Sequence, residues 1–227
     1  MIEPSREIEK EFLNYLKKQS NTKDAVVLAC VDEVGRGSLA GPVSVGISLI
    51  DFSVTDNFPS GLRDSKMLKP EKRLELLPLC KQWVLDVEVG HADNEYIDEN
   101  GIVAALRRAA FNAYEKLEKK GHKISGVLLD GKHNWWNSDS LFDYSTKLPN
   151  VEVKMVIKGD AKCCAIAVAS VVAKVERDNL MTKLHEQYSE YNWAKNKGYS
   201  SKEHIEALKK YGASVYHRKS WKLPGLK

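Results

Sequence analysis

The sequence predicts an α/β protein built on a mixed, five-stranded sheet flanked by helices. Three observations predict it. Five short apolar runs rich in β-branched residues read as strands, and long helical patterns follow the third and the fifth of them. The first three strands also lack helical crossovers long enough for parallel pairing throughout, so part of the sheet must be antiparallel. At 227 residues the chain falls in the size range of one large domain with its own core.

Residues 5–18 set Ile8, Phe12, Leu13 and Leu16 on one face of a short helix, and a polar stretch from Gln19 to Asp24 follows. Residues 1–24 therefore read as a helical extension docked before the main domain. Ala25 to Val31 is the first strand. Gly35, Gly37 and Gly41-Pro42 interrupt it, and Val43 to Ile50 resumes as a second strand joined by a glycine-rich turn. Pro70 opens a helix to about Leu79, because proline is tolerated in a first turn. Trp83 to Val89 is the third strand. A long helix from about Gly101 carries Ile102, Ala105, Leu106, Ala109 and Ala113, and Lys119-Lys120-Gly121 closes it.

Two further strands, Val127–Leu129 and Val153–Ile157, end at Asp130 and at Lys158-Gly159-Asp160. From Lys162 to about Tyr188 small apolar residues describe a buried helix lying close to the sheet. Ser200-Ser201-Lys202-Glu203 matches a capping box for a last helix. Residues 25–190 thus form the main domain, and 191–227 a C-terminal helical region of the same domain.

Composition excludes extremes. Charged residues are 29% and hydrophobic ones 43%, ordinary for a globular chain and unlike a disordered or fibrous one. The start, MIEPSREIEKEF, lacks the apolar core of a signal peptide, and no run approaches a membrane span. Cys30, Cys80, Cys163 and Cys164 include no CxxC pair and read as reduced thiols of a cytoplasmic protein. The net charge of +4 is compatible with a nucleic-acid partner. Lys209, Lys210, His217, Arg218, Lys219 and Lys222 cluster near the end, either as a phosphate-tracking surface or as a solvated helix face and tail.

The chemistry resides in Asp32, Asp130 and Asp160. Each follows an apolar strand, and a sheet that aligns those ends gathers three carboxylates at one rim, where open α/β sheets place ligands. Unpaired acids so close would repel and lose hydration unless cations neutralise them or protons are taken up. Hard Mg²⁺ or Mn²⁺ suits oxygen ligands, and two such ions can hydrolyse a phosphodiester. Any one aspartate could instead be a turn or cap residue. Glu33 is next to Asp32, and both reach one site only if the strand bends or ends there. The turn Gly35-Arg36-Gly37-Ser38-Leu39-Ala40-Gly41 lacks GxGxxG spacing and a GKS/T ending. It can let backbone amides approach a sugar or phosphate, with Arg36 as a charged fork, or it can be a plain hairpin. Trp135 and Trp136 could stack on substrate or pack their loop.

Val31-Asp32-Glu33-Val34-Gly35-Arg36-Gly37 with Leu39-Ala40-Gly41-Pro42-Val43 resembles the opening motif of ribonuclease HII. Four further blocks resemble the same family in the same order: Asp64 to Leu68, Leu129-Asp130-Gly131, Lys158-Gly159-Asp160 through Asp178, and Gly198-Tyr199 to Ser220. Cys30, Ser38, Val168 and Trp221 depart from the usual pattern without removing an acid. The resemblance implies an RNase H-like fold with extra C-terminal helices and a site of Asp32, Glu33, Asp130 and Asp160 holding Mg²⁺ or Mn²⁺. It implies hydrolysis of the RNA strand of RNA/DNA hybrids and of DNA duplexes on the 5′ side of embedded ribonucleotides, leaving 3′-hydroxyl and 5′-phosphate ends.

By the same resemblance Gly35, Arg36 and Gly37 surround the 2′-hydroxyl, Tyr199 stacks on the adjoining sugar, and Lys66 contacts a phosphate. His217 and Arg218 are assigned no catalytic role. A monomer suffices, and a sliding clamp is a candidate partner for the N-terminal helix. Ribonuclease HIII, with a sizeable N-terminal domain, is a rival that the 31 residues before Asp32 disfavour. A binding protein without catalysis would be expected to lack an acid.

Overall fold

The computed structural model describes residues 3–20, 25–137 and 147–226. The five strands are β1 (Leu28–Val34), β2 (Val43–Ile50), β3 (Asp86–Ala92), β4 (Gly126–Asp130) and β5 (Glu152–Val156), in the spatial order β3-β2-β1-β4-β5. The β1–β2 and β2–β3 pairs are antiparallel, while β4 lies parallel to β1 and β5 parallel to β4. The sheet is therefore mixed, as the short early connections require.

The helices are α1 (Glu7–Gln19), α2 (Pro70–Trp83), α3 (Asn94–Lys119), α4 (Gly159–Lys162), α5 (Cys164–Gln187), α6 (Trp193–Asn196) and α7 (Lys202–Tyr211). Alternation along the strands divides the core into two layers. Leu28 and Cys30 of β1 with Leu128 of β4 meet α5, α2 and α1 on one face. Ala29 and Val31 with Val127 and Leu129 meet α3 on the other. Phe12, Leu13 and Leu16 of α1 are buried in the first layer, so the N-terminal helix contributes directly to the core. Arg6 and Glu9 of the same segment are buried with it; Arg6 Nε donates to Glu9 at 2.9 Å, and Ala165 N to the other Glu9 oxygen at 2.7 Å.

Several boundaries move for identifiable reasons. β1 begins at Leu28 and runs to Val34, past the expected end at Val31, because β2 pairs with it through Asp32, Glu33 and Val34. Trp83 completes α2, delaying β3 to Asp86. The helix expected from about Gly101 is preceded by about two further turns from Asn94, which Asp93 caps by accepting from Tyr96 N at 2.8 Å. Gly101, at φ 79°, breaks the two segments. The cap of α7 is Ser201, which accepts from His204 N, one residue later than a Ser200–Glu203 box implies. Trp135 and Trp136 are buried in the α3 layer and pack the loop.

The approach of α3 to the sheet depends on Gly90. A Cβ there would lie 2.0 Å from Ala109 O and 2.5 Å from Ala113 N, both backbone atoms. Gly90→Ala should therefore lift α3 and cost about 3 kcal/mol, the upper range of overpacking. A urea midpoint within experimental error of the parent would refute this contact. Among the described residues no helix is long and apolar enough to cross a membrane.

Candidate active site

Parallel pairing of Val31 with Leu129 sets Asp32 and Asp130 side by side on adjacent strands. By alternation both belong to the face of Cys30 and Leu128, against α5. Asp160 comes from the single turn α4 just after β5, which Lys158 turns into by adopting a left-handed backbone at φ 57°. Gly159 N donates to Asp130 Oδ1 at 2.6 Å, tying that turn to the end of β4. The structure thus brings together the three strand-end aspartates.

Glu33 enters differently. Pairing continues through it, so the expected bend is not what recruits it. It belongs to the opposite face, and its Oε1 accepts from Arg36 at 3.2 Å while Oε2 is buried with no hydrogen-bond partner. Arg36 is accordingly engaged with the acid, although its side chain remains 42% exposed.

The acids share one field. Burial pushes the Asp32 carboxyl well above its ordinary range; Asp130, Glu33 and Asp160 reinforce the rise, and a hydrogen bond to Ser170 opposes it. Burial followed by Asp130 and Asp64 raises Asp160 to about 6. Burial raises Glu33 against its bond to Arg36. Lys66 Nζ is 3.9 Å from Asp160 Oδ2, with a side chain 73% exposed. Burial opposes its charge, but the fields of Asp32, Asp64, Asp160 and Asp130 raise it. Among the described residues no three His, Cys, Asp or Glu side chains already close around one point. The donors nevertheless suit a hard cation: they are oxygen atoms, mutually repelling, and one of them, Glu33 Oε2, is buried and orphaned.

Beside the acids is a cavity of about 220 Å³ lined by Asp32, Glu33, Ser65, Lys66, Lys174 and Tyr199 among others. Tyr199, 36% exposed, accepts from Gly35 N at 3.1 Å through its hydroxyl, which joins the tyrosine to the glycine turn. Gly35 itself has φ 83°, a left-handed conformation that glycine adopts without strain. A Cβ on Gly37 would meet nothing within 4 Å, so no neighbouring protein atom demands a glycine there.

Two buried arginines hold the turn from beneath. Arg218 donates to the carbonyls of Gly35, Arg36 and Gly41 at 2.7–3.2 Å. Arg177 donates to Pro42 O, Lys197 O, Ala40 O and Ser38 Oγ. Ser38 Oγ in turn donates to Gly35 O at 2.9 Å, giving this serine a specific place in the turn. Because His217 and Arg218 are fully buried, they do not belong to a basic surface at the C-terminal end. Sequence reasoning missed Ser65, Ser170, Lys174 and Arg177 as parts of this site. The available signal was a lysine and an arginine, Lys174 and Arg177, one turn apart where the apolar, buried first half of the helix gives way to a charged second half.

Comparison with known proteins gives a consistent result. The family model described as Ribonuclease HII matches residues 29–224. A Ribonuclease HII of Streptomyces avermitilis is 42% identical over 200 residues, spanning 88% of this chain and 78% of that protein. Among solved structures, the PCNA:RNase HII complex from Archaeoglobus fulgidus superposes with a TM-score of 0.65 at 22% identity, covering 87% of this chain and 96% of that one. Bst-RNase HIII in complex with Mn²⁺ gives 0.64 at 17% identity, over 83% and 63%. These two likenesses establish the fold.

Proposed function

The chain belongs to the ribonuclease HII family, a ribonuclease H endonuclease and hydrolase, and on that premise we propose that Asp32, Glu33, Asp130 and Asp160 are its catalytic acids and hold two divalent cations. The observation that carries this reading is the crowding of these acids, Asp32 and Asp160 buried and Glu33 and Asp130 half-buried, which leaves Glu33 Oε2 without a partner and raises Asp32, Glu33 and Asp160 together. Such crowding is unfavourable in itself and is relieved by positive charge.

Each residue then has a physical task. Ser170 and the Gly159 amide restrain Asp32 and Asp130, so that the two strand-end acids hold a fixed separation. Lys66, mostly exposed beside Asp160, presents a cation to an incoming phosphate and positions the duplex without reading its sequence. The space over Gly37 admits a ribose closely, and the Gly35–Gly37 backbone with Arg36 contacts the 2′-hydroxyl, the group that separates RNA from DNA. Tyr199, fixed to Gly35 by its hydroxyl, offers a flat ring to the neighbouring sugar. Bound Mg²⁺ or Mn²⁺ would supply activation of a water and charge for the leaving oxygen.

The products are a 3′-hydroxyl and a 5′-phosphate, formed on the 5′ side of a ribonucleotide in a hybrid or in duplex DNA, a chemistry suited to removing ribonucleotides from DNA. The single chain supplies all the proposed site residues, which supports action as a monomer. A sliding clamp is kept as a proposed partner because the Archaeoglobus fulgidus neighbour was solved with PCNA.

The test is a metal-dependent cleavage assay with three duplexes: DNA carrying one ribonucleotide, an RNA/DNA hybrid, and DNA alone. A nick 5′ of the single ribonucleotide and no cut in DNA alone is the expected result. Cleavage of the hybrid without the single-ribonucleotide nick would remove the assignment of Gly35–Gly37 and Tyr199 as a ribonucleotide reader.

A further inference from the structure

Behind Tyr199 is a pair of fully buried histidines, His204 at the start of α7 and His217 in the segment after it, whose Nε2 atoms are 2.9 Å apart. Their surroundings determine where every proton sits. His204 Nδ1 is 2.9 Å from Tyr199 O, and a carbonyl can only accept, so Nδ1 carries a proton. His204 Nε2 accepts from Trp193 Nε1 at 3.2 Å and is therefore bare. His217 Nε2 must then be the donor across the pair. Its Nδ1 accepts from Ser214 N at 2.9 Å and is bare in turn.

The chain of donors thus runs in one direction, from Ser214 N–H through His217 and His204 to the carbonyl of Tyr199. A second proton on His204 would set its Nε2 against the Trp193 and His217 donors, and one on His217 Nδ1 would face the Ser214 N–H, with only Ser214 Oγ, 2.9 Å away, able to accept it. The backbone of His217 also meets the glycine turn: it forms an isolated antiparallel bridge with Ala40, and Asn94 Nδ2 donates to its carbonyl at 3.4 Å.

We propose that His204 and His217 are positioning residues, a neutral pair of opposite tautomers that sets the backbone of Tyr199 against the Gly35 turn and so fixes the height of the tyrosine ring over the substrate sugar. This role rests on the reading of Tyr199 and the glycine turn as the ribonucleotide reader. The ring-lined environment favours neutrality: Tyr191 and Trp193 pack against both rings, and the charged neighbour acting on His217 is Lys219, which repels a cation. Burial, with His204 and Lys219, pushes His217 down to about 4, and burial lowers His204 against its bond to Tyr199. Both groups are depressed relative to the unfolded chain, so their contribution is fully present above the ordinary histidine range. For His217 it is lost as pH falls from about 6.5 toward about 4.

Two measurements test this. Nitrogen-15 NMR of the imidazoles in the intact protein should show His204 protonated at Nδ1 and His217 at Nε2, both still neutral at pH 5.5. Reversed tautomers, or either ring charged at pH 5.5, would overturn the proposal without any variant having to fold.

The second measurement is steady-state kinetics on the single-ribonucleotide duplex. His204→Leu, which removes the donor to Tyr199 O, should lower kcat/KM about fivefold to tenfold, the worth of one buried hydrogen bond. His204→Asn, whose amide nitrogen can stand where Nδ1 does, should recover most of that loss. In a Tyr199→Ala background His204→Leu should add little, because the ring it positions is gone. Full additivity of the two losses, or no rescue by asparagine, would reduce the pair to ordinary core. If Tyr199→Ala alone left kcat/KM unchanged, the reader assignment itself would fail, and the positioning role with it, while the tautomers observed by NMR would stand.

Discussion

Asp32→Asn is expected to lower kcat by at least ~10²–10³-fold, the scale for removing one group that acts in the transition state, while changing duplex affinity little. Asp32 lies at the centre of the acid cluster, buried beside Asp130 and within the field of Glu33 and Asp160, so its charge is the one whose loss most alters any cation bound there. It lines the cavity but is 4% exposed, which leaves the broad duplex contacts to other residues. Near-normal turnover by Asp32→Asn would reject its assigned role.

The same substitution has a second, opposite consequence for stability. Asp32 and Asp160 have raised values in the folded chain, Asp160 to about 6. The folded state therefore holds protons that the unfolded state has released, and without metal its stability falls as pH rises from the ordinary carboxylate range, about 3.9, through about 6. Asp32→Asn removes one of the repelling charges. In chelator at pH 7.5 its Tm should exceed that of the parent, and the gain should shrink toward pH 4. Added Mg²⁺ should narrow the gap by stabilising the parent more. A lower Tm for the variant in chelator would show that the acids are not in conflict.

Gly35→Ala is the second large effect. Its φ of 83° already disfavours a side chain, and an added Cβ would fall 2.0 Å from Arg177 Nε and 2.6 Å from its Cζ. Arg177 cannot easily yield, because it is fully buried and spends its donors on Pro42, Lys197, Ala40 and Ser38. Displacing it uncouples the glycine turn from α5 and from the segment that carries Tyr199. The expected cost is about 3 kcal/mol or more of stability, combining left-handed strain with overpacking. Activity on the single-ribonucleotide duplex should fall on the order of a hundredfold, since small misplacements of a positioning group carry penalties of that size. Gly37→Ala provides the contrast: with no protein atom within 4 Å of the new Cβ, stability should hold while activity falls. Equal stability losses for the two alanines would contradict this distinction.

Much of this architecture was legible in the chain. Strand ends at Asp130 and before Asp160, and an acid at the end of the apolar run before Gly35, are local patterns, and a parallel sheet necessarily brings such ends to one rim. The number of strands and the mixed pairing followed from run lengths and connection lengths. Glu33 was legible as an acid but not in its manner of recruitment, since alternation sends it away from Asp32 and a contact with Arg36 holds it at the edge of the cluster. Arg177, Arg218, His204 and His217 were not legible as a group, because a sequence shows spacing along the chain and these residues act across 13 to 183 positions of it.

By itself, then, the sequence determined the fold class and marked three strand-end aspartates and the glycine turn as site candidates, with Glu33 added by the family resemblance, because periodicity, strand ends and backbone freedom are properties of short segments. Tertiary structure alone decided which groups hold that turn in place. Four side chains that read as a basic surface or as parts of unremarkable helices are buried, and burial allows a guanidinium or a neutral imidazole pair to fix backbone carbonyls that water would otherwise compete for.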